Sequence, residues 1–330
     1  MWTIAFAVAA VLFVLVTGAN DGAALIGLGL RFPKAPGWFT VGLLAGALIA
    51  VPYLLGVAVA ATFTERLAGL DADGGAAAFL AGVVIAVGVV AVLAGRGLPT
   101  SLTLAVVGGI TGAGFGAGLP VSLSGLGTVL AVGVAAPLAG VLLGYVMGAV
   151  SRRVPSHGRM PRIVLAAHLL AYGAQCVAYA VNDGQKMLAV VSVAVEVGRH
   201  EAGRHGVGGI GPVHVAPAWM ALLVAVFLAG ALTSLPRVGA RLGRGLVLAR
   251  PLHVVSAEAA AAGAVLGSSV LGAPVSMTQS VTAGVVGAAA SEGGKRVRWR
   301  GVATMGAAWA VTLPSSMALG CLAGLAVRWL

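Results

Sequence analysis

Apolar runs of Ala, Val, Leu, Gly and Ile recur almost end to end, and short gaps between them hold most of the charged residues. Each run is close to the roughly 20 residues that a helix needs to cross a bilayer. The pattern predicts about ten helical segments, half of them before the stretch containing Arg152, Arg153, Arg159 and Arg162 and half after it. Gly-interrupted runs can also form re-entrant hairpins. The expected fold is therefore an all-α polytopic membrane protein of about 10–12 transmembrane or re-entrant helices.

The gaps alternate in sign. Arg31 and Lys34 follow the first run, Glu65, Asp71 and Asp73 outweigh Arg66 in the second gap, and Arg96 marks the third. Farther on, Val197 to Val215 is a gap of mixed charge, Arg237, Arg241, Arg244 and Arg250 form a basic one, and Lys295, Arg296, Arg298 and Arg300 form the last. Positive gaps mark the cytoplasmic side, which puts the amino terminus outside. An odd number of segments per half makes the halves opposite in topology, so the chain divides into two inverted-topology repeats, 1–150 and 163–330, joined by a basic cytoplasmic linker, 151–162. The opening MWTIAFAVAA lacks the basic start of a secretory signal and reads as a retained membrane segment.

Composition agrees: 59% of residues are hydrophobic and 9% charged, which leaves no soluble domain to place. The net charge of +11 sits in short gaps without aromatic interleaving, so it reports topology and lipid contact, and no nucleic-acid surface. Cys176 and Cys321 lie in apolar segments and imply neither a disulfide framework nor a metal site. No Ser/His/Asp order, zinc spacing or Gly-Lys-Ser phosphate loop suggests an enzyme, and no cofactor is implied. Heavy use of Ala, Gly, Val and Arg points to a GC-rich bacterial genome, hence a multi-pass protein of the bacterial inner membrane. Oligomerisation is left open.

The candidate chemistry lies inside the apolar runs. Asn20-Asp21 and Asn182-Asp183 stand in the first segment of each half. A carboxylate at bilayer depth costs roughly 2.5 to 3.5 kcal/mol, so its repetition in matched contexts points to use. Gly18 and Gly22 flank the first pair and are expected to let the helix unwind where it lines a cavity. Such a turn suits an anion at half-helix amino termini, and a sodium ion or proton at the carboxylates. A second doubled motif opens the fourth segment of each half: Pro99-Thr100-Ser101-Leu102-Thr103 and Pro274-Val275-Ser276-Met277-Thr278. Pro followed by Ser and Thr reads as a helix start whose hydroxyls either cap the turn or donate to an oxyanion. Glu258 is a third acid within an apolar run, either an asymmetric coupling carboxylate or a polar helix contact. Lys186 follows Asp183 by three residues, close enough on one helical face to neutralise it, as a structural ion pair or a substrate contact. His168 lies within an apolar run, whereas His157, His200, His205, His214 and His253, at or near loops, are expected to be solvated. Trp38, Trp299 and Trp329 fit interfacial anchoring.

At these residues the chain resembles the inorganic phosphate transporter (PiT) family, whose halves each carry a Gly-Ala-Asn-Asp type signature and a Pro-Val-Ser-Thr-Thr-His type signature. GANDGAALIG matches the first, VNDGQKM matches an Asn-Asp-x-Gln-Lys form that includes Gln185 and Lys186, and PTSLTL and PVSMTQ match the other in part. Leu102 and Met277 replace its middle Thr, Leu104 and Gln279 replace its His, and Tyr179-Ala180-Val181 replaces a His-Gly-Ala. The resemblance implies a secondary transporter that moves inorganic phosphate with H⁺ or Na⁺ by alternating access. Asn20, Ser101, Thr103, Asn182, Ser276 and Thr278 would hold phosphate, and Asp21 and Asp183, with Glu258, the coupling ion. Sulfate or a metal-phosphate complex as cargo, or a non-transporting scaffold or receptor, are the alternatives.

Overall fold

The computed structural model describes residues 2–30, 36–67, 74–96, 100–153, 160–201, 217–245 and 251–329. Among them the chain is helical and forms no strand: α1 (Trp2–Thr17), α2 (Ala23–Gly29), α3 (Gly37–Leu55), α4 (Ala58–Ala61), α5 (Gly75–Gly95), α6 (Leu102–Ala117), α7 (Leu123–Ser151), α8 (Met160–Tyr179), α9 (Gln185–Glu201), α10 (Pro217–Gly245), α11 (Pro251–Val270), α12 (Met277–Ala290) and α13 (Trp299–Val327). Of the loop charges, Arg31, Lys34, Asp71, Asp73, Arg159 and Arg250 lie outside the described residues. So do His157, His205 and His214, and the side chains of Glu65, Arg66, His200, Arg237, Arg241 and Arg244.

Seven stretches among the described residues are long and apolar enough to cross a membrane: Trp2–Gly29, Gly37–Leu55, Gly75–Ala94, Leu123–Ser151, Arg162–Arg199, Ala218–Pro236 and Trp299–Val327. The other three expected segments are α6, α11 and α12. The outer faces are apolar, with Ile4, Leu54, Leu138, Leu142, Leu170 and Val270 all exposed, a surface that acyl chains solvate and water does not. Trp38, Trp299 and Trp329 are exposed at helix ends, where interfacial anchors belong.

The interior is organised around α6 and α12. At 16 and 14 residues these helices reach only about 24 and 21 Å, short of a hydrocarbon core of about 30 Å, and almost every residue in them is buried. Glycine makes this enclosure possible. Gly108, Gly112 and Gly116 on α6 abut the backbone of α13 at Leu313, Met317 and Cys321, and Gly320 and Gly324 on α13 return the contact at Gly109 and Ala113. In the same manner, Gly140, Gly144 and Gly148 of α7 meet α12 at Ser280, Gly284 and Ala288. Small residues four apart let two helix backbones touch, where packing has to supply what hydrophobic burial supplies in water. The short helix of each half is thus clasped by the last long helix of the other, α6 by α13 and α12 by α7.

Candidate functional site

Both Asn-Asp pairs sit in wide π-helical turns, Gly18–Gly22 between α1 and α2 and Ala180–Gly184 between α8 and α9. The expected unwinding is replaced by this widening. The helix runs through, with the Ala23 amide donating five residues back to the Gly18 carbonyl. Bonding is retained because a bare carbonyl or amide in a dry interior is expensive, and the extra residue in the turn re-aims the side chains.

The α6 and α12 helices start beside these turns. Ser101 caps α6 by accepting from the Leu104 amide at 3.2 Å, and Ser276 caps α12 by accepting from the Gln279 amide at 3.4 Å. A hydroxyl used as an acceptor keeps its own proton to donate. The two starts cross-link each other. Thr103 at the beginning of α6 donates to the Val275 carbonyl at 2.9 Å, and Thr278 at the beginning of α12 reaches the Thr100 carbonyl at 3.5 Å.

The Asn-Asp turns close on the same two carbonyls. Asn20 Nδ2 lies 3.4 Å from the Thr100 carbonyl and 2.9 Å from Asp21 Oδ1. Asn182 Nδ2 donates to the Val275 carbonyl at 2.7 Å, while its Oδ1 accepts from the Val275 amide at 3.3 Å. Lys186 adds a charge: its Nζ lies 2.8 Å from Asp183 Oδ1, 2.6 Å from Thr103 Oγ1 and 2.6 Å from the Val275 carbonyl. The charges of Asp183 and Lys186 both act on the Asp21 carboxylate. Asn20, Asp21, Ser101, Thr103, Asn182, Asp183, Lys186, Ser276 and Thr278 thus form one buried polar cluster, with Asn20 its more accessible edge.

Two candidates lie elsewhere. Gln185 accepts from the Val59 and Ala60 amides at 2.7 and 3.3 Å and donates to the Gly56 carbonyl at 2.8 Å, which makes it the N-terminal cap of α4. Glu258 pairs through Oε2 with His168 Nδ1 at 2.8 Å, and His168 Nε2 lies 3.2 Å from the Gly29 carbonyl, tying α8 and α11 to the end of α2. His253 departs from expectation: it is buried and paired with Glu292 at 2.9 Å, because α11 places it against the end of α12 and not in a loop.

Sequence reasoning missed several members. Thr100 is fully buried and its hydroxyl finds no partner among the described residues, and the same holds for the Tyr179 hydroxyl and Asp183 Oδ2. Polar atoms left unpaired beside a charged cluster suit a polar ligand better than a closed core. The Thr100 and Val275 carbonyls are the focal acceptors, and backbone carbonyls have no code in sequence; only the Pro-x-Ser spacing marks them. Leu104 and Gln279, which replace the family's His, line a separate cavity of about 340 Å³ with Pro137, Trp309 and Leu313. A second cavity of about 440 Å³ has mixed walls, with the hydroxyl residues Thr62, Ser122, Ser124 and Thr128 beside Val129 and Leu271–Ala273, and so lies immediately before the Pro274–Ser276 helix start.

The chain is 31% identical over 236 residues to a Mycobacterium tuberculosis protein named "Probable low-affinity inorganic phosphate transporter", covering 68% of this chain and 54% of that one. A Bacillus subtilis protein of the same name is 22% identical over 234 residues, covering 69% of this chain and 67% of its own length. The chain spans about half the length of the mycobacterial relatives it matches. A solved structure titled "The sodium-dependent phosphate transporter" shares the fold, with a TM-score of 0.79 at 14% identity over 99% of this chain and 98% of that one. The profile of the phosphate transporter family matches residues 156–320, half of the chain, and with the mycobacterial similarity this makes the chain a member of the phosphate transporter family.

Proposed function

We propose that the chain is a secondary transporter that carries inorganic phosphate with a cation, H⁺ or Na⁺, across the bacterial cell membrane by alternating access. Its halves, 1–150 and 163–330, are read as inverted-topology repeats joined by the linker 151–162, with the amino terminus outside. The exchange of clasping helices between halves supports the repeat reading, because an inverted pair interlocks across its own pseudo-symmetry. The observation that carries the functional reading is the convergence of two helix starts and two Asn-Asp turns on the Thr100 and Val275 carbonyls.

In this reading Ser101, Thr103, Ser276 and Thr278, the amides of the α6 and α12 starts, Asn20 and Asn182 hold phosphate, since hydroxyl and amide donors at helix amino termini suit an oxyanion. Asp21 and Asp183 face the cation. Two like unit charges 4 Å apart repel by about 4 kcal/mol at an effective dielectric near 20, so phosphate enters beside two carboxylates only with a positive charge between them. Co-binding, and hence coupling, follows from that repulsion. Glu258 acts on coupling through the packing of α8, α11 and α2 and not as a ligand.

The full chain reconstituted in liposomes should accumulate labelled phosphate under an inward Na⁺ or H⁺ gradient, and Asp21→Asn and Asp183→Asn should each abolish accumulation. Undiminished accumulation in both variants would refute the coupling role. Excess sulfate in the same vesicles should leave phosphate uptake in place; equal competition would mean a general oxyanion carrier. A wild-type protein with no phosphate uptake and no phosphate-dependent thermal stabilisation would overturn the transport reading in favour of a scaffold.

A further inference from the structure

We infer that the Lys186 ammonium stands in the second half of the site where a monovalent cation would otherwise be held, as a tethered charge that does not travel, so that the cation moved with phosphate belongs to the Asp21 half. This inference rests on the transport reading and deepens it.

The contacts of Nζ carry the argument. They are one carboxylate oxygen, one hydroxyl oxygen and one backbone carbonyl, at 2.6 to 2.8 Å, drawn from the turn before α9, from α6 and from the segment before α12. Oxygens of these kinds, gathered where helices are interrupted, form the ligand set of a small hard cation such as Na⁺. An ammonium has three protons, and three acceptors use them all. The Val275 carbonyl also receives Asn182 Nδ2 at 2.7 Å and Thr103 Oγ1 at 2.9 Å, so three donors crowd one oxygen and mark it as the centre of negative potential.

The first half supplies the contrast. Counted from the Asn-Asp pair, the residue matching Lys186 is Ala24. The same three kinds of oxygen recur there in the Asp21 carboxylate, the Thr278 hydroxyl and the Thr100 carbonyl, but the contacts on Thr100 are long, 3.4 Å from Asn20 and 3.5 Å from Thr278. The Thr100 hydroxyl beside them is buried without a partner among the described residues. One half is drawn tight by a covalently attached cation, and the other has the oxygens without the ammonium. With Lys186 neutralising Asp183, phosphate needs one fewer mobile cation than the two acidic side chains suggest.

Lys186→Met keeps the length and apolar stem and deletes the charge. In reconstituted full-length protein at fixed pH, the Na⁺ dependence of labelled phosphate uptake should become steeper, with the Hill coefficient rising by about one as Na⁺ takes the vacated oxygens. An unchanged coefficient in an active variant would overturn the inference. Thermal unfolding of the purified variant decides the matter even if uptake is lost: replacing choline chloride by NaCl should raise its Tm by about 2 °C or more beyond the wild-type response. No added Na⁺-specific stabilisation would mean that Lys186 is only a structural partner of Asp183. A wild type that fails to take up phosphate would sink the transport reading alone, since the thermal comparison does not depend on phosphate.

Discussion

The two halves of the site carry the same motif at different tension. Around Val275, the second-half Asn182, Asp183 and Lys186 make contacts of 2.6 to 2.8 Å and are fully buried. Around Thr100, the first-half Asn20 and its partner Thr278 make contacts of 3.4 and 3.5 Å, and Asn20 is only partly buried. Lysine at position 186, where the first half has alanine at position 24, makes two of these short contacts. The two shells thus use the same kinds of residue and differ in how short their contacts are.

Removal of either carboxylate should separate the two halves most. Asp183→Asn leaves a buried ammonium without its counter-charge and should lower unfolding stability by about 3 kcal/mol or more, besides abolishing accumulation. Asp21→Asn should abolish accumulation equally while moving stability by less than about 1 kcal/mol, since among the described residues Asp21 has a hydrogen bond from Asn20 and no direct ion pair like that of Asp183 with Lys186. Equal destabilisation in thermal melts would erase the proposed difference between halves. The threonines sharpen the same contrast at smaller amplitude. Thr103→Val removes both a short bond to Val275 and an acceptor of Lys186, for about 1–3 kcal/mol, whereas Thr278→Val breaks a 3.5 Å contact and should cost under about 1 kcal/mol. The smallest effect belongs to Gln279→His, which puts the residue of the family signature on the wall of the cavity shared with Trp309 and Leu313 and leaves the amide at position 279 in place. Phosphate affinity, measured by thermal shift against phosphate concentration, should change by less than about twofold.

Much of the cluster was legible in sequence because its polar residues stand against an apolar background: Asp21 and Asp183 at bilayer depth, and the doubled Pro-x-Ser-x-Thr starts, admit few bland explanations. Other positions were not legible. Gln185 stands within a signature and yet caps α4, and the polar helix contact that Glu258 makes, with His168 at 2.8 Å, lies 90 residues away along the chain. His253 was expected in solvent and is buried against Glu292, because proximity to a chain gap says nothing of which helix lies across from it.

By itself, then, the sequence determined a helical membrane protein and the residues able to bear charge inside it, since hydropathy and the cost of burying a carboxylate are local properties of the chain. Tertiary structure alone decided which oxygens share a cation and which polar residues merely brace helices. Those outcomes turn on carbonyls and partners brought together by backbone-to-backbone glycine packing, and contact across such distances along the chain has no local signature.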